Sequence, residues 1–441
     1  MAHWIAATLC LVSARRSKPM LPVATIVRDF FPRTGRLRAL CRVIRGMFLG
    51  MIVAASAHGQ VAVPDVVCSE GSGSFETQFH TGVGVRVRAG RSGSLAARSC
   101  DAILSWGKQE IAVATGVAQL DVDALGIDLG LGPLVATFQV KQSDSDCCMT
   151  YLVYSVQRVP RLLRTISGGE FFSAADTDLD GRVEIWTKDA AVLNGFEGLS
   201  LAELETLPTV VLRFSGARLL DATAEFRPYI DQEITRLRAA TDPQDRRAFK
   251  NSDGRLEAKS GLSAEHLNRM RRVKAVVLGI VWSYLYSGRE QEAWRALADM
   301  WPAQDVDRIR TAIWDVHARG ILAQVDGIAT KDRARGQRKA PIFDAITEKG
   351  STTNLGVVPP EPILLQQPLL PDAHDIAGQT EVAVDLVIDS AGKVRSARQA
   401  GNPTHVAGSL IASAEKWKFI PAFKDGYPVA SRLRLVVSPK Q

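Results

Sequence analysis

The end of the chain alternates between apolar and polar positions in a pattern that predicts a small α+β domain. Every second residue is apolar from Val382 to Ile388, which is the period of a half-buried strand, and a second short strand follows a glycine turn. Residues 406–417 place apolar side chains on one face of a helix of about three turns. Residues 433–437 alternate again, so the predicted order is strand, strand, helix, strand.

Three sequences punctuate this order: V-I-D-S-A-G-K-V from Val387, W-K-F-I-P-A from Trp417 and D-G-Y-P-V from Asp425. In combination they resemble the carboxy-terminal domain of the TonB family, over residues 362–438. The resemblance implies that a partner peptide adds a strand to this domain, and that the partner is the plug segment of an outer-membrane TonB-dependent transporter driven by an inner-membrane ExbB/ExbD-type motor. The expected partner-binding residues are Arg432, Leu433, Arg434, Leu435 and Val436.

The same strand-addition hypothesis predicts which changes matter. The side chains of Arg432 and Arg434 are expected on the solvent side, where replacement has little effect. Proline at Leu433 or Leu435 is expected to abolish partner binding by removing a ladder N–H. The chain departs from the family at Leu370-Pro371, where a tyrosine-proline pair is usual, and its spacer is short.

Residues 58–222 read as a β-rich domain, because short segments rich in β-branched and aromatic residues alternate with glycine or charged turns. The loop D-T-D-L-D-G-R-V-E from Asp176 places carboxylates at positions 1, 3, 5 and 9 around a turning glycine, as a calcium loop does. Position 12 is Thr187, so the loop is not an EF-hand. Residues 121–128 are a degenerate echo of it, so the pattern favours propeller-like hairpins over a closed propeller.

This loop resembles that of FG-GAP repeats, which join strands of a propeller blade. The resemblance implies Ca²⁺ as the cofactor, with side-chain ligands from Asp176, Asp178, Asp180 and Glu184 and a backbone-carbonyl ligand from Arg182. A solvated acidic turn that needs no metal is the alternative.

From residue 223 to residue 325 the apolar period becomes helical. Ile230, Ile234 and Leu237 share one helix face, Asp242-Pro243 and Ser263 are helix starts, and Gly288 ends the long helix. The predicted fold is a helical bundle with Trp294, Trp301 and Trp314 in its core. Residues 286–302 also resemble the turn and second helix of a tetratricopeptide repeat, which leaves a peptide-binding groove as an alternative. Residues 326–361 lose periodicity and gain proline, which predicts a linker before the terminal domain at 362–441.

Residues 1–57 have the layout of an export signal. They hold nine basic residues and one acid, and four arginines precede an apolar run that ends in Ala55-Ser56-Ala57. We expect cleavage near Ala57 and a periplasmic protein; an uncleaved inner-membrane anchor is the alternative, although the run is shorter than the ~20 residues a spanning helix needs. The rest of the chain has 45 basic and 46 acidic residues, which argues against nucleic-acid binding.

Four cysteines remain after that cleavage: Cys68, Cys100, Cys147 and Cys148. An even count in an exported chain is compatible with disulfides, and we expect the neighbours Cys147 and Cys148 each to pair with Cys68 or Cys100 rather than with one another. Buried free thiols are the alternative. The chain lacks H-x-x-x-H, G-x-S-x-G, a P-loop and a dinucleotide fingerprint, so an enzyme is not expected.

Together these patterns predict a multidomain chain with a β-rich FG-GAP-like domain, a helical bundle and a small TonB-like α+β domain. The predicted function is that of a TonB-family periplasmic protein whose terminal domain binds a partner peptide and couples to TonB-dependent transport. The alternative is a soluble exported scaffold or sensor that binds a glycan, peptide or protein through the calcium-loop domain and the helical bundle. Whether the leader is retained separates the two.

Overall fold

The computed structural model describes residues 74–92, 97–143, 145–204, 206–256, 263–329, 339–345, 356–364, 382–400 and 407–437. These residues form a β-rich fold of several sheets with six α-helices, so the predicted mixture of β-rich and helical domains is confirmed at this level. The predicted leader, residues 1–57, lies outside the described residues. Within the described ranges, no helix combines the length and apolar character needed to cross a bilayer.

Three sheets follow one another along the chain, the first two four-stranded and the third five-stranded, and each contains four consecutive antiparallel strands in sequence order. The first sheet contains β1 (Ser74–Gln78), β2 (Val83–Ser92), β3 (Ala97–Trp106) and β4 (Gln109–Val117). The second contains β5 (Gln119–Ile127), β6 (Val135–Lys141), β7 (Met149–Ser155) and β8 (Leu162–Gly169). The third contains β9 (Ser173–Ala175), β10 (Glu184–Lys188), β11 (Thr209–Ser215) and β12 (Arg218–Asp221). This succession of hairpins agrees with the turn signals in the sequence.

The helical part contains α1 (Arg227–Ala239), α2 (Pro243–Lys250), α3 (Ala264–Tyr286), α4 (Glu290–Met300) and α5 (Val306–Arg319). Two predicted caps are confirmed: Asp242 accepts a hydrogen bond from Gln244 N at 2.6 Å, and Ser263 Oγ accepts one from His266 N at 3.3 Å. Helix α3 ends before Gly288, whose φ of 73° is left-handed. Short 3₁₀ turns lie at Ala191–Leu193, Phe196–Gly198, Thr223–Phe226, Ala303–Asp305 and Ile321–Gln324.

The tryptophan prediction for the bundle needs a correction. Trp301 is fully buried and donates from Nε1 to Asp305 Oδ2 at 2.9 Å. Trp314 is instead 46% exposed, and Trp294 is only partly buried. Helix α5 buries the face that carries Ile309, Ile313 and Val316, and Trp314 is not on that face. Trp314 is therefore a surface residue and not part of the core.

The described parts of the predicted linker contain short paired strands, so they are not a free spacer. The strands are β13 (Gly327–Ile328), β14 (Phe343–Asp344), β15 (Val357–Val358) and β16 (Glu361–Leu364). Strand β13 pairs in parallel with β12 and so extends the third sheet. The other three pair with strands of the terminal domain. The segment therefore runs along the body and the terminal domain wherever it is described.

The terminal domain contains the predicted strand, strand, helix and strand in that order, with three further short strands between the helix and the last strand. Its elements are β17 (Val382–Ile388), β18 (Val394–Gln399), α6 (Ala407–Ala414), β19 (Lys418–Ile420), β20 (Ala422–Lys424), β21 (Tyr427–Val429) and β22 (Ser431–Val437). The described helix is shorter than predicted, because Trp417 already lies in the turn that leads into β19. The side chains of Trp417 and Phe419 are buried in the domain core, as expected. The main sheet has the order β14, β22, β17, β18.

Two buried ion pairs join the terminal domain to strand β5. Lys393 Nζ donates to Asp123 Oδ1 at 2.5 Å, and Lys418 Nζ donates to Asp121 Oδ2 at 2.6 Å. Both carboxylates are almost fully buried, with side-chain exposures of 1% for Asp123 and 5% for Asp121. Of residues 121–128, which the sequence suggested as an echo of the calcium loop, all but Asp128 thus lie in the buried strand β5, which provides partners for two lysines.

The two lysines lie side by side because their backbones touch. Lys393 and Lys418 form an isolated antiparallel bridge, and Phe419 N donates to Gly392 O at 2.8 Å. A Cβ at residue 392 would lie 1.8 Å from Phe419 O, and φ there is 78°, so only glycine fits this approach. The glycine of the predicted turn therefore positions one half of the junction.

Burying the Lys393–Asp123 ion pair costs desolvation energy, and removing one partner from it would destabilise the fold. Burial lowers the pKa of Lys393, and the neighbouring Asp123 carboxylate opposes that shift. Asp123 Oδ2 also accepts hydrogen bonds from Tyr151 Oη at 2.6 Å and from Ala174 N at 2.8 Å. A buried charge pair of this kind is tolerated only when its remaining hydrogen-bonding positions are also satisfied.

We predict that Asp123→Ala lowers the free energy of unfolding by about 3–5 kcal/mol, because it leaves the buried Lys393 ammonium without its counter-ion. The matched control is Glu110→Ala, which removes the partner of Arg86 from a pair in which Glu110 is 50% exposed. That control should cost less than about 1 kcal/mol. Urea unfolding followed by tryptophan fluorescence measures both, and equal losses would contradict the assignment.

Candidate functional site

The acidic loop predicted from the sequence joins β9 to β10 and gathers three carboxylates. Each of Asp176, Asp178 and Asp180 has a carboxylate oxygen within 4.8 Å of the others. Asp176 is buried, Asp180 is half-buried and Asp178 is exposed. In the described part of the chain, this is the group of three acidic, histidine or cysteine side chains that is placed to hold a metal ion. Hard oxygen donors at this spacing suit a divalent cation such as Ca²⁺.

The loop's own backbone shapes the cluster. Asp176 Oδ1 accepts from Asp180 N at 3.0 Å, and Asp176 Oδ2 accepts from Gly181 N at 3.1 Å. Gly181 has φ of 88°, so the glycine predicted to make the sharp turn does so in the left-handed region. Leu179 also has a positive φ, of 59°, which is uncommon for a branched aliphatic residue. The Asp176 carboxylate therefore stabilises the turn through its hydrogen bonds to the backbone N–H groups of Asp180 and Gly181.

Glu184, the fourth predicted side-chain ligand, lies at the edge of this group, at the start of β10. Its carboxylate is 1% exposed, accepts from Thr177 N at 3.5 Å and is 3.6 Å from Arg213 Nη1. Burial, and next the negative charge of Asp178, raise the pKa of Glu184 to about 8. Burial raises the pKa of Asp176 to about 6. In both cases burial disfavours the ionised carboxylate.

The cationic groups near the cluster are arginines. Arg182 Nε donates to Asp180 Oδ2 at 2.6 Å and Arg182 N donates to Asp180 Oδ1 at 2.9 Å, so both oxygens of this carboxylate already accept hydrogen bonds. Arg213 is shared between Glu184 and Glu225 and is closer to Glu225, at 2.6 Å. Arg395 also contacts this loop, at Thr177 O, so three arginines lie near the three clustered aspartates and Glu184. The chemistry and charge of these residues fit a bound divalent cation.

The terminal domain contacts the acidic loop directly. Ser390 Oγ donates to Asp176 Oδ2 at 3.0 Å, and Asp389 Oδ2 accepts from Asp176 N at 3.1 Å. Arg395 Nη2 donates to Thr177 O at 3.1 Å. Asp389 is fully buried, and this burial raises its pKa to about 7. The D-S-A-G-K turn is therefore a contact surface for the loop as well as a hairpin connection.

Strand β22 contains the five residues predicted to bind a partner. Two backbone hydrogen bonds show which groups face its outer side: Phe343 N donates to Ala430 O, and Ala345 N donates to Arg432 O, both at 2.9 Å. The N–H and C=O groups of one residue point to the same side of a strand, and successive residues alternate. Arg432, Arg434 and Val436 therefore direct their backbone groups outward.

The backbone groups of β22 that point inward face β17, within the domain's own sheet. Leu433 and Leu435 lie opposite Leu386 and Val384 of β17, and their N–H groups point toward that strand. Proline at Leu433 or Leu435 would therefore break the sheet that holds the domain together and would not test partner binding. The test of the strand-addition hypothesis moves to a residue with an outward N–H.

The cysteine pairing differs from the expectation. Cys147 and Cys148 are joined to each other by a disulfide, with their Cα atoms 3.7 Å apart. Cys100 is also disulfide-bonded, and Cys68 lies outside the described residues. The expectation that each neighbour needs a distant partner was wrong, because the two adjacent cysteines pair with one another.

Sequence reasoning missed the residues that tie the site together, above all Asp121, Asp123 and Lys418. A signal was present: two aspartates interrupt an otherwise apolar run from residue 120 to residue 125, and a strand in the core tolerates such charges only with partners. The partners are about 270 and 297 residues away in the chain, so spacing did not reveal them.

Comparison with protein-family models, with curated proteins and with solved structures finds no match to this chain.

Proposed function

We propose that this chain is a TonB-like protein of the cell envelope whose terminal domain binds an extended segment of a partner protein along the outer edge of β22. The observation that carries the proposal is that this edge accepts a parallel strand, because Phe343 and Asp344 of β14 lie there in register with Ser431 and Arg432. Strand addition uses backbone groups for affinity and side chains for specificity.

The order of elements in the terminal domain also supports the proposal. Strand, strand, helix and strand follow one another with the turn sequences that resemble the TonB family. Under this proposal the chain is exported to the periplasm, and the partner is the plug segment of an outer-membrane TonB-dependent transporter. Coupling to an ExbB/ExbD-type motor belongs to the same proposal.

The second candidate is an exported scaffold or sensor without motor coupling. The buried pairs Lys393–Asp123 and Lys418–Asp121 favour it, because they fix the terminal domain on the β body. A domain that reaches across the envelope to a transporter would have to leave this surface or carry the body with it. Both candidates assign peptide binding to the same edge of β22.

For the acidic loop we propose Ca²⁺ binding by Asp176, Asp178, Asp180 and Glu184, with the backbone carbonyl of Arg182. A bound Ca²⁺ would supply positive charge to a cluster in which burial and mutual repulsion oppose the ionised forms. Its role is structural: it stabilises the loop that Ser390 and Asp389 of the terminal domain contact.

Val436→Pro should abolish capture of the partner while the domain stays folded, because proline removes an outward N–H and leaves the inward ladder with β17 intact. Val436→Ala is the matched control, since it keeps the N–H, and should capture the partner as the unchanged chain does. The readout is recovery of TonB-dependent transporters, identified by mass spectrometry, on the immobilised chain, with circular dichroism as the check on folding. Equal recovery by the proline variant would reject edge binding.

Asp178→Ala should erase a calcium-dependent rise in melting temperature, because it removes an exposed ligand that supports little else in the loop. With Ca²⁺ at about one hundred times its Kd, the unchanged chain should gain about 2.7 kcal/mol of stability. Asp315→Ala, on the exposed side of α5, is the control and should keep the rise. A chain that melts at the same temperature with calcium and with chelator would reject the metal site.

The two candidate functions differ in where the protein resides. Recovery in the soluble periplasmic fraction with a start near His58 supports the scaffold or sensor. Recovery in the inner-membrane fraction with the leader intact supports energy transduction, because the motor then has an anchor to act on. Fractionation with amino-terminal sequencing measures both.

A further inference from the structure

A short segment of the chain already occupies the edge that the proposed partner would use. Residues 339–345, here called the edge segment, contact the acidic loop at one end and pair with β22 at the other. Ala340 N donates to Leu179 O at 2.7 Å, while Phe343 N and Ala345 N donate to the outward carbonyls of Ala430 and Arg432 at 2.9 Å. The segment therefore runs parallel to β22 and uses its backbone groups as an added strand does.

Side chains of the edge segment also contact side chains of the terminal domain. Lys424 Nζ lies 4.3 Å from the centre of the Phe343 ring, and Arg432 Nη1 donates to Asp344 Oδ1 at 3.2 Å. Ala345 is buried, with 2% of its surface exposed. The three consecutive positions thus place an aromatic ring near an ammonium, a carboxylate beside a guanidinium, and a small side chain in a covered position.

Among the residues that the structure describes, these contacts are specific in direction but few in number. The ladder is two residues long, and its ion pair is exposed, with 52% of Arg432 and 56% of Asp344 accessible. Exposed pairs and single backbone hydrogen bonds each add little net stability. A segment held in this way can be replaced by another strand that makes the same contacts over a longer stretch.

We propose that the edge segment is an internal ligand: it occupies the partner's place on β22, and an incoming peptide binds by displacing it. This inference rests on the proposed edge binding and adds the partner's chemistry. The favoured peptide runs parallel to β22 and carries an aromatic, an acidic and a small residue in succession, at the places of Phe343, Asp344 and Ala345.

The test uses a fluorescein-labelled peptide with the sequence of the edge segment, K-A-P-I-F-D-A, titrated with the full chain and followed by fluorescence anisotropy. In one variant, residues 339–345 are replaced by seven alternating glycines and serines. This variant should bind the peptide roughly tenfold more tightly than the unchanged chain, because two backbone bonds and an ion pair no longer compete. Peptides with the phenylalanine changed to alanine, or the aspartate to lysine, should bind more weakly.

A pair of proline variants tests the same idea without replacing the segment. Ala345→Pro removes the N–H that Arg432 O accepts, and should raise peptide affinity several-fold. Ile342→Pro removes an N–H that points to the opposite side and keeps the Asp344 carboxylate, and should change affinity much less.

Equal affinity of the unchanged and glycine-serine chains, or failure of the glycine-serine chain to bind the peptide, would overturn the internal ligand. Adding Arg432→Pro to the glycine-serine chain separates the two proposals, because it removes the outward N–H that lies beside Phe343 in the register of the edge segment. Loss of peptide binding in that double variant supports the shared edge. Val436-dependent recovery of the transporter without any binding of this peptide would leave the proposed function standing and reject the internal ligand alone.

Discussion

The side-by-side ion pairs between β5 and the terminal domain are the constraint on which the rest of the structure depends. Asp121 and Asp123 lie on one face of a buried strand, and Lys418 and Lys393 reach them from two elements that touch through Gly392 and Phe419. A shift of one residue in either element would leave buried charges unpaired, which costs far more than an apolar contact gains. The pairs therefore fix where the terminal domain sits, and so bring the D-S-A-G-K turn against the acidic loop.

That placement links three features that are distant in the sequence. The loop from Asp176 is contacted by Ser390 and Asp389 on one side and by the backbone of Ala340 on another. Residues 339–345 then continue to the edge of β22. A change in the charge or shape of the acidic loop therefore acts directly on the two segments that it contacts, the D-S-A-G-K turn and residues 339–345.

Much of the fold and part of the candidate site could be predicted from local sequence patterns. The alternation in β17 and β22, the caps Asp242 and Ser263, and the turn at Gly181 all follow from short-range chemistry, and the structure has each of them. The errors came from contacts that no local pattern encodes. Trp314 was assigned to the core from residue type alone, whereas the neighbouring helix faces decide which tryptophan is covered. The direction of the N–H groups of β22 became clear only from the strand beside it.

A strand competitor that belongs to the same chain differs in kind from one that is free in solution. Its local concentration at the edge is set by the tether and not by expression level, and short connections commonly give values on the order of millimolar. A free peptide must compete with that effective concentration. Its apparent association constant is the intrinsic one multiplied by the fraction of time for which the edge is uncovered. The tethered segment therefore weakens every outside peptide by the same factor, so only a peptide that binds the edge tightly or is present at high local concentration occupies it.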